Sequence, residues 1–175
     1  MATAARQGDT APADGIASLA ERFDASAMHI PGGRARIRLK VTRGGACDVV
    51  IAGRRLRLRD ADDASEPDCV LSADSPTWRR IAADVRGGMD AFRAGRLRIR
   101  GSLHLGVGLL AATSGSDAPG RLEFDAVRAR GFGSISVLSA GTGPETIMCL
   151  HGLGGTKASF LPTVAALADS YRVVA

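Results

Sequence analysis

The chain has 175 residues, of which 45% are apolar and 23% charged, and its formal net charge is +5. No apolar run reaches the roughly 20 residues that cross a bilayer, and no apolar segment follows the first arginine, so we expect neither a membrane span nor a secretory signal. The three cysteines are widely spaced and include no CxxC pair, which argues against a disulfide framework and a zinc site and favours the cytoplasm.

The first part of the chain predicts a helix followed by short strands. Residues 1–14 are rich in Ala, Thr and Gly, and we expect them to form a disordered tail. Apolar residues at helical spacing then begin at Ile16 and end at Phe23. Alternating patterns predict strands over residues 35–42, 47–51 and 54–59, and a shorter strand at 69–72.

The next stretch, from Ser75 to Leu110, holds most of the large apolar side chains of this part. Its pattern predicts a helix that ends at Gly87-Gly88, a shorter helix that ends at Gly95, a strand over 96–100, and a last helix from Ser102. The side chains that these elements turn inward include Trp78, Ile81, Met89, Phe92, Ile99, Leu105 and Leu109. Burying each is worth roughly 1.5–3 kcal/mol, so a packed core is the default explanation. A hollow core that accepts an apolar ligand is the alternative.

The predicted order of elements gives an α+β domain with helices over one face of the sheet. Residues 15–113 also resemble the sterol carrier protein type 2 family. The resemblance lies in CVLSADSPTW at the entry to the first long helix, in GGMDAF, and in GRLRIRG with the apolar helix after it. It implies a five-stranded, mainly antiparallel sheet whose helices enclose an apolar tunnel for sterols, fatty acids or acyl-CoA. The seven side chains named above would line that tunnel.

The basic excess lies entirely in residues 1–113, which contain 18 Lys and Arg against 13 Asp and Glu. Much of it alternates with apolar residues along the predicted strands, so one face of the sheet should be basic. A solvated surface is the simplest interpretation, and docking on an anionic membrane is the next. Nucleic acid is the weakest, because no aromatic residues are interleaved with the arginines and no helix-turn-helix or finger spacing occurs.

A segment of linker composition, residues 114–119, separates this domain from a second one. Residues 122–126 and 134–139 alternate as strands do, and 146–150 is an apolar run suited to a strand buried on both faces. A glycine-rich loop follows, then a helix from about Leu161 and a strand from Tyr171. The loop lacks the spacing of a phosphate loop, and Lys157 stands where a dinucleotide loop needs its third glycine.

The stretch ETIMCLHGLGGTKASF resembles the element of α/β hydrolases in which a strand runs into the oxyanion loop. The resemblance covers about residues 120–175 and implies an incomplete α/β-hydrolase sheet, the truncated N-terminal part of that domain. It implies that the backbone N–H of Leu153 faces the developing oxyanion. His151, Gly152 and Gly154 would shape the turn, and His151 would not transfer protons.

The rest of the hydrolase machinery is missing from the sequence. No G-x-S-x-G occurs in residues 1–175, and the other histidines, His29 and His104, precede this domain. We therefore expect that the chain as given cannot run a Ser-His-acid mechanism, and that it is the start of a longer enzyme or a truncated gene product.

The leading hypothesis is a carrier domain for a lipid or acyl ligand, fused to an esterase- or lipase-like hydrolase whose apolar ester substrate it holds or supplies. The alternative is a non-catalytic lipid-binding or membrane-surface adaptor with an inactive hydrolase part. Neither hypothesis calls for a metal or another cofactor.

Overall fold

The computed structural model describes residues 15–83, 88–113, 122–131, 133–153 and 155–175, with the backbone alone at Met89. The predicted tail at 1–14 and the predicted linker at 114–119 lie outside the described residues. The helices are α1 Ile16–Glu21, α2 Ser75–Ala83, α3 Met89–Arg93, α4 Leu103–Ala112 and α5 Leu161–Leu167. The strands are β1 Arg34–Val41, β2 Ala46–Ala52, β3 Arg55–Asp60, β4 Cys69–Ala73, β5 Arg98–Gly101, β6 Glu123–Ala129, β7 Gly133–Ala140, β8 Thr146–Met148 and β9 Arg172–Val174.

The first five strands form one sheet in the order β3-β2-β1-β4-β5. Strand β1 pairs antiparallel with β2 but parallel with β4, whereas β2–β3 and β4–β5 are antiparallel. The prediction of a mainly antiparallel sheet was therefore wrong, and the sheet is mixed. The cause is the polar connection over residues 61–68, which carries the chain from the edge strand β3 across to the far side of β1. Strand β4 consequently runs in the same direction as β1.

Alternation along the strands decides which side chains enter the core. In β1, the side chains of Ala35, Ile37, Leu39 and Val41 are buried and the basic residues between them point away. The same period of two places Leu71 inside and Ser72 outside on β4. Helices α1, α2 and α4 contribute the opposite wall of this core, as the sequence predicted.

Helix α4 is shared by two cores. Every side chain or glycine from residue 105 to residue 112 is buried, so the helix is covered on all sides. Leu105, Leu109 and Leu110 belong to the first core, and Val107 and Ala111 to a second core built from β6, β7, β9 and α5. A helix that is apolar on every face is typical of such an interior position.

The second sheet has the order β6-β7-β9-β8. Strands β6 and β7 form an antiparallel hairpin, β9 is antiparallel to β7, and β8 is parallel to β9. Strand β8 lies at the sheet edge, and Met148 and the following Leu150 are 68% and 81% exposed. The prediction that residues 146–150 form a strand buried on both faces was wrong, because one side of β8 has no neighbouring strand among the described residues.

Candidate functional site

A small apolar cavity lies between the first sheet and its helices. Its wall is built by inward-facing side chains of α1, α2, α4 and the strands β1 to β4. The lining residues are Ile16, Leu19, Ala20, Leu39, Val49, Leu56, Leu58, Leu71, Trp78, Leu109, Leu110 and Thr113. The volume is about 10 Å³, close to the minimum that holds one water molecule. At the position of the predicted tunnel, the structure thus has a nearly filled interior.

The polar atoms on the cavity wall are already used. The indole Nε1–H of Trp78 donates to the carbonyl oxygen of Lys40 at 3.1 Å. The hydroxyl of Thr113 donates to the carbonyl oxygen of Leu109 at 2.9 Å. A molecule in this space would therefore meet apolar contacts only, and selection would depend on its shape.

Six of the seven sequence-predicted lining residues have described side chains, and these six divide into three groups. Trp78 and Leu109 line the cavity. Ile81 and Leu105 are buried in the same core away from it, and Phe92 and Ile99 are partly buried where the first and second cores meet. The predicted role of Met89 falls on a side chain outside the described residues.

Most of the wall consists of residues that the sequence analysis did not select. Those on the strands are Leu39, Val49, Leu56, Leu58 and Leu71, and those on α1 are Ile16, Leu19 and Ala20. The sequence does contain a pattern that identifies the strand residues, because they occupy the apolar positions of segments that alternate between apolar and polar residues. The predicted set covers only residues 78–109 and therefore omits α1 and the strands β1 to β4, which form the other sides of the cavity.

Two glycines of α4 explain how closely the helix approaches its neighbours. A Cβ on Gly106 would lie 2.6 Å from Cγ2 of Ile99, and a Cβ on Gly108 would lie 3.1 Å from Cγ of Met28. Both positions therefore face protein side chains in tight contact. Helix packing accounts for these glycines without a ligand.

A polar cluster joins the two cores beside α4. His104 donates from Nε2 to the carbonyl oxygen of His29 at 2.7 Å, and its Nδ1 lies 3.4 Å from Nζ of Lys157. Lys157 is 8% exposed, donates to the hydroxyl of Ser136 at 2.5 Å, and lies 4.4 Å from the ring centroid of Phe124. Burial lowers the pKa of Lys157. The pKa of His104 is also lowered, first by burial and then by the positive charge of Lys157. Both groups thus favour their neutral forms more than they would in water.

The cysteines are free thiols. Burial raises the pKa of Cys47 to about 11 and that of Cys69 to about 12, so neither is a reactive thiolate near neutral pH. Cys149, beside the glycine-rich loop, is partly exposed. Across the described ranges no group of three or more His, Cys, Asp or Glu side chains is arranged to hold a metal ion.

The glycine-rich loop follows β8 at the exposed edge of the second sheet. His151, Gly152 and Leu153 are all exposed, and the Gly155 N–H donates to the carbonyl oxygen of Gly152 at 3.1 Å. No described residue accepts a hydrogen bond from the Leu153 N–H. Gly154, also predicted to shape the turn, lies outside the described residues. The predicted oxyanion donor is thus open to solvent.

Within the described part of the chain, no helix is both long and apolar enough to span a bilayer. The longest described helix, α4, has ten residues. A membrane-spanning helix needs about 20.

Comparison with protein-family models matches residues 18–111 to the SCP-2 sterol transfer family. Comparison with curated proteins finds no match. The family match begins within α1 and ends within α4, so it contains the whole first sheet and all the residues that line the cavity except Ile16 and Thr113.

Three solved structures have distant similarity to the chain. The ubiquinone synthesis protein UbiJ-SCP2 is 17% identical with a TM-score of 0.42, and the alignment covers 55% of this chain and 90% of that one. Sterol carrier protein 2 from Yarrowia lipolytica is 14% identical with a TM-score of 0.34, covering 61% and 83%. The sec-alkylsulfatase Pisa1 from Pseudomonas sp. is 18% identical with a TM-score of 0.44, covering 57% of this chain and 16% of the sulfatase.

Proposed function

Since this chain belongs to the SCP-2 sterol transfer family, we propose that residues 15–113 hold the apolar part of a sterol or fatty acyl ligand between the sheet and the helices. The observation that supports this placement is the cavity at that position, whose wall offers apolar contacts only. The proposal makes Trp78 and Leu109 ligand contacts together with the inward residues of β1 to β4.

Binding requires the cavity to enlarge. Pockets for small molecules typically measure 300–1,000 Å³, and this cavity measures about 10 Å³. Five of its lining residues belong to the hydrogen-bonded strands β1 to β4 and cannot separate without breaking the sheet. Helix α1 has only six residues and no side-chain cap, so it is the wall segment that moves at the lowest cost.

The cost of moving α1 can be compared with the gain from a ligand. The helix buries two side chains, Ile16 and Leu19, at 1% and 4% exposure. Exposing both costs about 3–6 kcal/mol, whereas each methylene of the ligand that becomes buried returns about 0.8 kcal/mol. Roughly four to eight methylenes therefore offset the opening, and a longer chain gives net affinity. Long acyl chains and sterols satisfy this condition and short acids do not.

The only tryptophan of the chain is a built-in reporter for this proposal, because Trp78 lines the cavity and is fully buried. We expect hexadecanoate and cholesterol to change its fluorescence saturably, and hexanoate to have no effect at the same concentration. Native mass spectrometry of the same samples should show one bound ligand per chain. An unchanged emission and an empty protein in the presence of hexadecanoate, cholesterol and an acyl-CoA would rule the carrier function out.

A second proposal concerns residues 120–175, which we infer to be the N-terminal part of an α/β hydrolase whose ester substrate the carrier domain holds. Three features support it: β8 and β9 are parallel with α5 between them, the loop after β8 is exposed, and the Leu153 N–H has no described acceptor. The exposed Met148 on edge strand β8, and the exposed Leu150 two residues after it, also suit pairing with a further strand. The non-catalytic adaptor is the competing proposal.

The hydrolase and the adaptor proposals differ in the coding sequence and in the ester turnover that they require. The hydrolase requires a G-x-S-x-G sequence downstream of residue 175 and turnover of a p-nitrophenyl ester that a fluorophosphonate abolishes. A full-length gene that lacks this sequence, with no ester turnover, would favour the adaptor. For either, we propose the cytoplasm as the location, because three free thiols persist most readily in a reducing compartment.

A further inference from the structure

The outer face of the first sheet, opposite the cavity, is divided into two electrostatic halves. On one half, acidic residues neutralise the arginines of β1. Arg38 donates from Nε to Asp48 at 2.8 Å and also pairs with Asp63, and Arg36 lies 3.8 Å from both Asp48 and Asp62. Burial of Asp48 opposes its ionisation, but hydrogen bonds from Arg38 and from the Asp62 N–H outweigh it and hold the pKa below its usual range.

The other half is a groove of about 670 Å³ that lacks this neutralisation. We call it the basic groove; the residues that line it are Lys40, Thr42, Arg43, Val70, Ser72, Asp74, Gly95, Arg96, Arg98 and Arg100. Five of them are cations and one is an acid. Within the described ranges, none of the five cations lies within ion-pair distance of a carboxylate. Asp74 caps α2, where it accepts from the Thr77 N–H at 2.8 Å, and its carboxylate also attracts Arg96 beyond ion-pair distance.

Strand register brings these cations together. Lys40 on β1 is aligned with Ser72 on β4, and Ser72 is aligned with Arg98 on β5. Arg100 is aligned with Val70 on the same face. Since neighbouring strands lie about 4.8 Å apart, the long basic side chains converge over the short Val70 and Ser72 in the middle.

Unpaired like charges in a concave site repel one another, and an anion with several oxygens relieves that repulsion. Guanidinium groups match phosphate oxygens bidentately, and the hydroxyls of Thr42 and Ser72 add neutral donors. None of the described residues that line the groove is aromatic, so they offer no ring on which a nucleobase could stack. We propose that the basic groove binds phosphate groups, either of a phospholipid headgroup or of a soluble phosphate compound. This site does not depend on the proposed lipid cavity, which lies on the other face of the sheet.

The test uses the full chain and two probes. One is vesicles of phosphatidylcholine with phosphatidylglycerol, compared with pure phosphatidylcholine vesicles in a sedimentation assay. The other is inorganic pyrophosphate, titrated calorimetrically. The variant Arg98→Gln/Arg100→Gln removes two cations from the groove. Because each basic residue near an anionic surface contributes a factor of about five, we expect the variant to lose about 25-fold in vesicle affinity.

A matched control is available on β3. Arg57 and Arg59 are exposed on the same face of the sheet but do not line the groove. Arg57→Gln/Arg59→Gln removes the same charge and should leave binding unchanged. All four side chains are exposed, so both variants should unfold at the temperature of the parent chain. Lys40→Gln provides a second groove variant.

Each outcome decides the proposal. Binding to anionic vesicles but not to pyrophosphate, lost in the groove variants, assigns the site to a headgroup. Binding to pyrophosphate, lost in the same variants, assigns it to a soluble phosphate compound. Absence of binding to both probes, or equal losses in the groove and control variants, would overturn the proposal, because net charge rather than the groove would then account for binding.

Discussion

Helix α1 provides the sharpest test of how a nearly filled core admits a ligand. Ile16 anchors this helix at 1% exposure and lines the cavity. Ile16→Val removes one methyl group and should lower the free energy of unfolding by about 0.5–1.5 kcal/mol. If α1 leaves its place when a lipid binds, the same amount is subtracted from the cost of opening. The variant should then bind hexadecanoate about five-fold more tightly for each kcal/mol of stability lost.

Ile37→Val is the matched control. Ile37 is also fully buried in the first core, but it belongs to β1 and does not line the cavity. The same methyl group is removed, and the stability loss should be similar. Because β1 stays in place when the cavity opens, the affinity for hexadecanoate should equal that of the parent chain.

Two measurements on each protein decide the question. Urea unfolding gives the free energy of unfolding, and titration of Trp78 fluorescence gives the affinity. The expected pattern is lower stability in both variants with tighter binding in Ile16→Val alone. Equal affinities in the two variants would refute the displacement of α1 while leaving lipid binding itself intact.

Three further predictions follow from packing and burial. Gly106→Ala should lower the free energy of unfolding by up to about 2 kcal/mol, as measured by urea unfolding. Overpacking against Ile99 costs about 1–3 kcal/mol, and the higher helix propensity of alanine offsets about 1 kcal/mol of that cost. Burial lowers the pKa of His104 below 6.5, so the folded state binds this proton less readily than the unfolded state, and stability falls as the pH drops below 6.5. His104→Gln should reduce this dependence of stability on pH, as thermal unfolding at several pH values would show. Iodoacetamide should alkylate Cys149 alone in the native protein, as peptide mass spectrometry would show.

Controls separate these effects from general disturbance. Gly108→Ala should be near neutral, because its nearest neighbour, Met28, has a flexible side chain. A destabilisation equal to that of Gly106→Ala would contradict the packing argument. An unchanged pH slope in His104→Gln would show that the lowered pKa is not expressed in folding. Early labelling of Cys47 or Cys69 would mean that the first core opens more readily than its burial implies.

The sequence predicted the local elements of residues 15–113 well because each element depends on short-range periodicity. Alternation identified the strands, and Gly95 marked the end of α3, whereas the helix end predicted at Gly87-Gly88 lies partly outside the described residues. The parallel pairing of β1 with β4 could not be read in this way, since it depends on where a polar connection carries the chain. The contacts of Lys157 with Ser136 and His104 could not be predicted from the sequence either. Ser136 lies 21 positions and His104 lies 53 positions before the lysine, so no local pattern connects them.

The volume of the cavity could not be predicted from the sequence either. Apolar spacing identifies side chains that leave water, but it does not distinguish side chains that touch from side chains that surround a space. Residues 146–150 illustrate the same limit at a sheet edge. Their apolar run is identical whether a neighbouring strand is present or absent, and only the strand order shows Met148 and Leu150 on the surface.

The hydrogen bond from Trp78 to the Lys40 carbonyl connects the two faces of the first sheet. Trp78 belongs to the cavity, whereas the side chain of Lys40 reaches into the basic groove. Leu39 and Leu71 alternate with groove residues along the same two strands, so the cavity wall that stays in place when α1 moves also carries the basic groove on its other face. By thermodynamic linkage, any factor by which an anion in the groove changes the lipid affinity equals the factor by which the lipid changes the affinity for the anion.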